Sequence, residues 1–211
     1  MKAQSMDVIN QTRKVTIWNK GLTALTALLT VVFSAFSVGI IVIVIAAYMP
    51  WSDCVGCDFS EEQMPRAYFK NRNLAGIQMW SSDLRHSNFK NATLVGANLS
   101  GSDFSGSNFE GANLSKATMF AVDLRSANLK RANLTEASLW QANLEASVLA
   151  GANLAGVALK NANLRRAELT GAEITDINLE GADLSYAIWI DGSVCAPNSI
   201  GRCAPLWYGQ K

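Results

Sequence analysis

Histidine is almost missing from this chain of 211 residues: His86 is the one it has. A Ser–His–Asp or Cys–His nucleophile would hang on that single residue, and no cleft-forming arrangement around it is legible. Phosphate-cradling glycine loops are missing too. The glycines that stand in series, such as Gly96, Gly101, Gly106 and Gly111, recur at a fixed interval and read as turn positions. Net charge is also close to absent, with 18 Lys and Arg against 17 Asp and Glu. That removes the general electrostatic argument for nucleic acid or another strongly charged partner. These absences predict a protein that is not an enzyme, with no catalytic residue, metal site or cofactor to assign.

One stretch lacks charge altogether. Gly21 to Tyr48 is a run of 28 residues without a charged side chain. About 20 apolar residues cross a bilayer core, so the run predicts a transmembrane helix over 21–48 rather than a buried core helix. A cleavable signal would carry roughly 7–15 apolar residues behind a short basic start. Here the run is longer and residues 1–20 precede it, which favours an uncleaved anchor. Lys2, Arg13, Lys14 and Lys20 stand before the run, and the next basic residue is Arg66. That bias predicts a short cytoplasmic N-terminus, with everything after Tyr48 periplasmic, lumenal or extracellular. Lys20, Tyr48 and Trp51 fit the membrane interface.

Residues 49–66 read as a linker, with Pro50, Pro65 and a C-x-x-C pair, Cys54 and Cys57. Then one pattern takes over. From Phe69 to Trp189 a large apolar residue occupies every fifth position, 25 in succession without a slip. Two residues before each sits a small residue, and between them usually Asn or Asp. Ala112-Asn113-Leu114-Ser115-Lys116 and Ala132-Asn133-Leu134-Thr135-Glu136 are examples. A period of five fits neither an amphipathic helix nor a long strand. Such a unit cannot bury its apolar residues alone, so units must stack and share one core.

The pattern A-(N/D)-L-x-x resembles the pentapeptide repeat family. The resemblance covers residues 67–191. It implies an all-β solenoid, a right-handed quadrilateral β-helix with four units per coil and about six coils. It places Leu99, Phe104, Phe109 and Leu114 inward, together with the small Ala97, Ser102, Ser107 and Ala112. Asn98, Asp103, Asn108 and Asn113 then offer hydrogen bonds to turn backbone. Arg72, Ile77 and Trp189 depart from the pattern near its ends, where atypical capping repeats are expected. Val122, Val157 and Ile177 are milder departures at the small position. The tail, 192–211, has loop composition (Gly192, Pro197, Gly201, Pro205) and is expected to cover the last coil.

The four cysteines flank the repeats. Haem attachment would need His after Cys57, where Asp58 stands. A redox pair usually opens a helix in a βαβ unit, and none is visible. A four-cysteine zinc site would bring Cys195 and Cys203 back to Cys54 and Cys57. At ~4.8 Å per coil the two ends of the solenoid lie roughly 30 Å apart, and only a folded-back tail would bridge that. An exported domain permits disulfides, and the preferred reading is two local staples, Cys54–Cys57 and Cys195–Cys203.

With four units per coil, residues 20 apart stack. One outward column then reads Trp80, Ser100, Phe120, Trp140, Lys160, Glu180. Aromatics are enriched at contact surfaces, which makes Trp80, Phe120 and Trp140 the candidate interaction face. The other columns hold Arg85, Arg125, Arg165 and Arg166, or Lys70, Lys90, Lys130 and Arg131, interspersed with acids. They read as a solvated mixed-charge surface.

The expected function is that of a non-catalytic, single-pass membrane-anchored scaffold. It would be an accessory or assembly subunit of an integral membrane protein complex, with self-association left open and no nucleic acid as partner. Two alternatives stand beside it. A DNA-mimicking protector of topoisomerases, as some pentapeptide repeat proteins are, needs an acidic cytoplasmic rod, whereas residues 67–191 hold 11 Lys/Arg and 12 Asp/Glu. A thiol–disulfide protein would use Cys54 and Cys57.

Overall fold

The computed structural model describes residues 53–206. The apolar run at 21–48, with Lys20, Tyr48 and Trp51, lies outside the described residues. Among the described residues no helix is long and apolar enough to cross a membrane.

Each five-residue unit is one backbone bridge followed by one turn. The residue before the large apolar one forms a parallel bridge to its counterpart 20 positions on, as in Asn98↔Thr118 and Asp103↔Asp123. Such bridges run in one register from Asp58↔Gln78 to Glu168↔Ile188. A bridge repeat of 20 is four units, so the chain closes a four-sided coil and climbs. The donors alternate up and down the stack. Leu99 N–H donates to Thr118 C=O at 2.8 Å, and Thr118 N–H donates to Ala97 C=O at 2.8 Å. Pairing every coil with the next satisfies the backbone that a five-residue unit cannot satisfy alone.

We number the faces by their large inward residues. The first runs through Leu74, Leu94, Leu114, Leu134, Leu154 and Ile174. The second runs through Met79, Leu99, Met119, Leu139, Leu159 and Leu179. The third holds Leu84, Phe104, Leu124, Leu144, Leu164 and Leu184. The fourth holds Phe69, Phe89, Phe109, Leu129, Leu149, Leu169 and Trp189. From Leu74 to Leu169 these residues are buried. On the fourth face Phe69, Phe89 and Phe109 stack as a ladder, with centroids 5.0 and 4.8 Å apart, and Phe104 meets Phe89 edge-on at 5.6 Å. Of the departures at the small position, Ile77, Val122 and Val157 are fully buried.

Where Ser replaces Ala at the small position, its hydroxyl is buried and bonded. Ser82 Oγ accepts from Glu62 N–H and donates to Phe59 C=O, at 3.2 and 2.7 Å. Ser102 Oγ accepts from Ser82 N–H and donates to Met79 C=O. The Asn/Asp ladder accepts from the backbone two residues on, as Asp103 Oδ1 does from Ser105 N–H at 2.9 Å. Amides also link neighbouring coils, Asn163 Nδ2 to Asn143 Oδ1 at 3.0 Å. The second residue of each turn has positive φ. Glycine serves there without strain, but Lys116, Arg131 and Ala146 take the same conformation at φ 59°, 57° and 55°.

The solenoid starts before Ala67. Cys54, Phe59 and Met64 donate their N–H groups to Asn73, Gln78 and Asp83, the same bonds made by the units from Phe69 to Leu169. Part of the segment read as a linker is therefore repeat, and the count of about six coils from Ala67 omits these units. At the other end the tail turns back. Two antiparallel bridges, Asp183↔Ile200 and Ile188↔Val194, lay it over the third and fourth faces of the last coil, and a third, Cys195↔Pro205, pairs the tail with itself.

Candidate interaction surface

The cysteines sit at the two ends of the stack. Cys54 occupies the large position of one unit and Cys57 the small position of the next, in the columns of Leu74 and Ile77, with the turn Val55–Gly56 between them. The two are disulfide-bonded across that turn, with Cα atoms 5.4 Å apart. Cys195 and Cys203 are bonded to each other within the tail. The described residues contain no free cysteine and no group of three or more His, Cys, Asp and Glu placed to hold a metal ion. His86 lies against the next coil at Gly106. A Cβ at Gly106 would stand 2.5 Å from His86 Nδ1.

Trp80, Phe120 and Trp140 share the second face, exposed by 38%, 46% and 47%. The coil between Trp80 and Phe120 presents only Ser100 and Gly101. A shallow depression results, with Trp80 and Phe120 as its walls and Asn98, Ser100 and Gly101 as its floor. The other outward residues of this face from Gln78 to Gln141 are Ser, Thr, Asn, Gln, Gly and Ala, without a charge. Charge stands at both ends of this span, as Asp58 and Glu61 in the coil below and as the Lys160–Glu180 pair at 2.9 Å above.

The third and fourth faces differ. On the third, Arg85 pairs with Asp83 at 2.7 Å, Arg125 with Asp123 at 2.6 Å and Arg165 with Asp183 at 3.1 Å. On the fourth, Lys90 pairs with Glu110 at 2.8 Å. The hydrogen bond from Arg85 holds the Asp83 carboxyl below its ordinary range, and that from Lys90 does the same for Glu110. For Asp183, desolvation pushes upward, but the bonds from Ser185 and Arg165 outweigh it. The basic columns are thus largely neutralised in place, and the second face is distinguished by its exposed aromatics on a surface without charge from Gln78 to Gln141.

Two features escaped the reading of the sequence. Cys54, Phe59 and Met64 continue the count of five backwards from Phe69, and that phase was available as a signal. It was hidden because Cys57 and Glu62 stand at the small positions, where the pattern places Ala or Ser. The coverage of only half the last coil by the tail had no sequence signal, because it depends on where the chain reverses after Trp189.

The family model of pentapeptide repeats (8 copies) matches in segments that run together from residue 63 to residue 185, more than half of the chain. No curated protein matches it. Among solved structures, the chain is similar to HetL, a pentapeptide repeat protein involved in heterocyst differentiation regulation in the cyanobacterium Nostoc sp. strain PCC 7120. Identity is 24% over 65% of this chain and 78% of that one, with a TM-score of 0.28. It is similar to QnrB1, a plasmid-mediated fluoroquinolone resistance protein, at 16% identity over 64% and 78%, with a TM-score of 0.35. A pentapeptide repeat protein of the Arabidopsis thaliana thylakoid lumen matches at 26% identity over 73% and 90%, with a TM-score of 0.23. The unbroken five-residue register, the 20-residue bridge ladder and the family match agree: the chain belongs to the pentapeptide repeat family and folds as its right-handed β-helix solenoid.

Proposed function

We propose that this protein is a non-catalytic, membrane-anchored scaffold that serves as an accessory or assembly subunit of a larger membrane protein complex. The observation that carries the proposal is the second face. Three large aromatics stand exposed in one column of a surface free of charge from Gln78 to Gln141. Aromatic surface without charge is enriched at the centre of protein contacts. A stack of short turns with shallow depressions favours binding over chemistry. The uncharged run at 21–48 and the basic residues before it support an anchor that exports the solenoid. The two disulfides suit that compartment. Protection of topoisomerases by DNA mimicry is the weaker reading, because the repeats hold 11 basic against 12 acidic residues rather than an acidic surface.

The test is purification of the tagged full-length chain from native membranes in mild detergent, with identification of co-purifying chains. A stoichiometric membrane-protein partner is expected, and replacing Trp80, Phe120 and Trp140 together by Ser should release it. Recovery only as a free monomer would overturn the proposal, and a C-terminal tag accessible from the cytoplasm would overturn the orientation.

A further inference from the structure

The last coil is capped on only half of its perimeter. On the third and fourth faces the tail takes the upward bonds: Leu184 N–H donates to Ser199 C=O at 2.8 Å, Tyr186 N–H to Cys195 C=O at 3.0 Å and Trp189 N–H to Ser193 C=O at 2.7 Å. On the first and second faces nothing among the described residues takes their place. The N–H groups of Ile174, Asp176 and Leu179 and the C=O groups of Ala172 and Ile177 have no hydrogen-bond partner among the described residues. One coil below, the equivalent Leu154, Gly156 and Leu159 donate to Glu173, Thr175 and Asn178. The core is open at the same place. Ile174, Ile177 and Leu179 are half-exposed, whereas Leu154, Val157 and Leu159 beneath them are buried. Unpaired edge groups over apolar side chains form a template for an added strand.

We infer that this edge, from Ala172 to Leu179, binds an extended, basic and apolar segment of a partner protein by strand addition. The mode is the one the tail uses next to it, where residues 193–201 run along two faces with one bend between them. The sign of the charge comes from the rim. The outward residues of the open half include Glu173, Asp176 and Glu180, all exposed, and no basic residue. Glu180 pairs with Lys160 from the coil below. Glu173 and Asp176 enter no ion pair among the described residues. A segment of about nine residues is long enough to follow both faces. Its inward apolar residues would cover Ile174, Ile177 and Leu179 while its outward Lys or Arg residues meet the acidic rim. Glu180 tops the column that holds the aromatics, two coils above Trp140, and the binding does not depend on those aromatics.

The experiment uses the full-length protein and a synthetic peptide with Lys–Val–Lys arms on either side of a central Ser–Gly. Binding is followed by fluorescence anisotropy, and the contact is located by amide hydrogen exchange. The expected result is binding that slows exchange at Ile174, Asp176 and Leu179 and leaves Leu99 unchanged. The combined exposed changes Glu173→Gln, Asp176→Asn and Glu180→Gln should weaken binding about tenfold, and replacing Trp80 should not affect it. A peptide with Pro in place of Val, which lacks those N–H donors, should not bind. The inference fails if the Pro peptide, or one with Glu in place of Lys, binds equally well. It also fails if those three amides are already protected in the free monomer, meaning that the chain covers its own edge. Protection that appears with protein concentration alone would assign the edge to a second copy and likewise overturn it.

Discussion

Replacing Phe89 tests whether the ring ladder of the fourth face, and not apolar volume alone, holds the lower coils together. Phe89 is fully buried between Phe69 and Phe109, at 5.0 and 4.8 Å, with interplanar angles of 21° and 7°, and Phe104 lies edge-on to it. Truncating a buried Phe to Ala costs ~3–5 kcal/mol through lost transfer and cavity formation. Ring pairs add ~0.5–1.5 kcal/mol each beyond area, and three end together at this residue. Phe89→Ala should therefore fall at the upper end of the range. Phe89→Leu keeps most of the apolar volume and removes the ring pairs, so it should cost about 1–3 kcal/mol. Leu129→Ala, in the same column next to Phe109, removes no ring–ring pair and provides the comparison at ~2–5 kcal/mol. Urea unfolding of the full-length protein, followed by circular dichroism, measures all three. The ladder would be refuted as a source of stability if Phe89→Leu stayed within about 0.5 kcal/mol of the unmodified chain, the range of ordinary surface changes.

Ala146 adopts φ 55° at a turn, so Ala146→Gly should raise the urea midpoint. The relief of left-handed strain, ~1–2 kcal/mol, exceeds the ~0.4–1 kcal/mol lost to unfolded-state entropy. Asp83 has a carboxyl pKa lowered by Arg85 from its ordinary 3.8, so it contributes stability above the unfolded value and loses it as pH falls through the lowered one. Asp83→Asn should cost on the order of 1 kcal/mol or less near neutral pH, and unfolding scans below pH 4 should show a shallower acid loss than in the unmodified chain. Cys195→Ser with Cys203→Ser should destabilise the tail by about 2–3 kcal/mol. Hydrogen exchange should quicken at Leu184 and Tyr186, whose N–H groups the tail receives, and remain slow at Leu124; a uniform increase would mean that the bridge supports the whole stack.

Most of the fold was legible in the residues because the signal is repetitive and local. A large residue at every fifth position from Phe69 to Trp189, a small one two before it and Asn or Asp between them leave stacked five-residue turns as the way to bury the first two and bond the third. That the columns of Trp80, Phe120 and Trp140 coincide follows from the same register once four units close a coil. Other properties were decided by the assembled stack. Cys54 and Cys57 read as a linker pair in isolation, yet the coil above them supplies the bonds that make their segment a repeat unit. Ile77 breaks the small-residue rule and is nonetheless buried, because fit at that position is judged against the coils on either side of it. The neutralisation of the arginine column emerged only when Asp83, Asp123 and Asp183 were found to pair with arginines on their own face. Whether the last coil ends closed or open depended on the path of the chain after Trp189. The tail reverses over two faces and, among the described residues, leaves Ile174, Ile177 and Leu179 without a layer above them, because no local preference in those residues specifies what pairs with an edge.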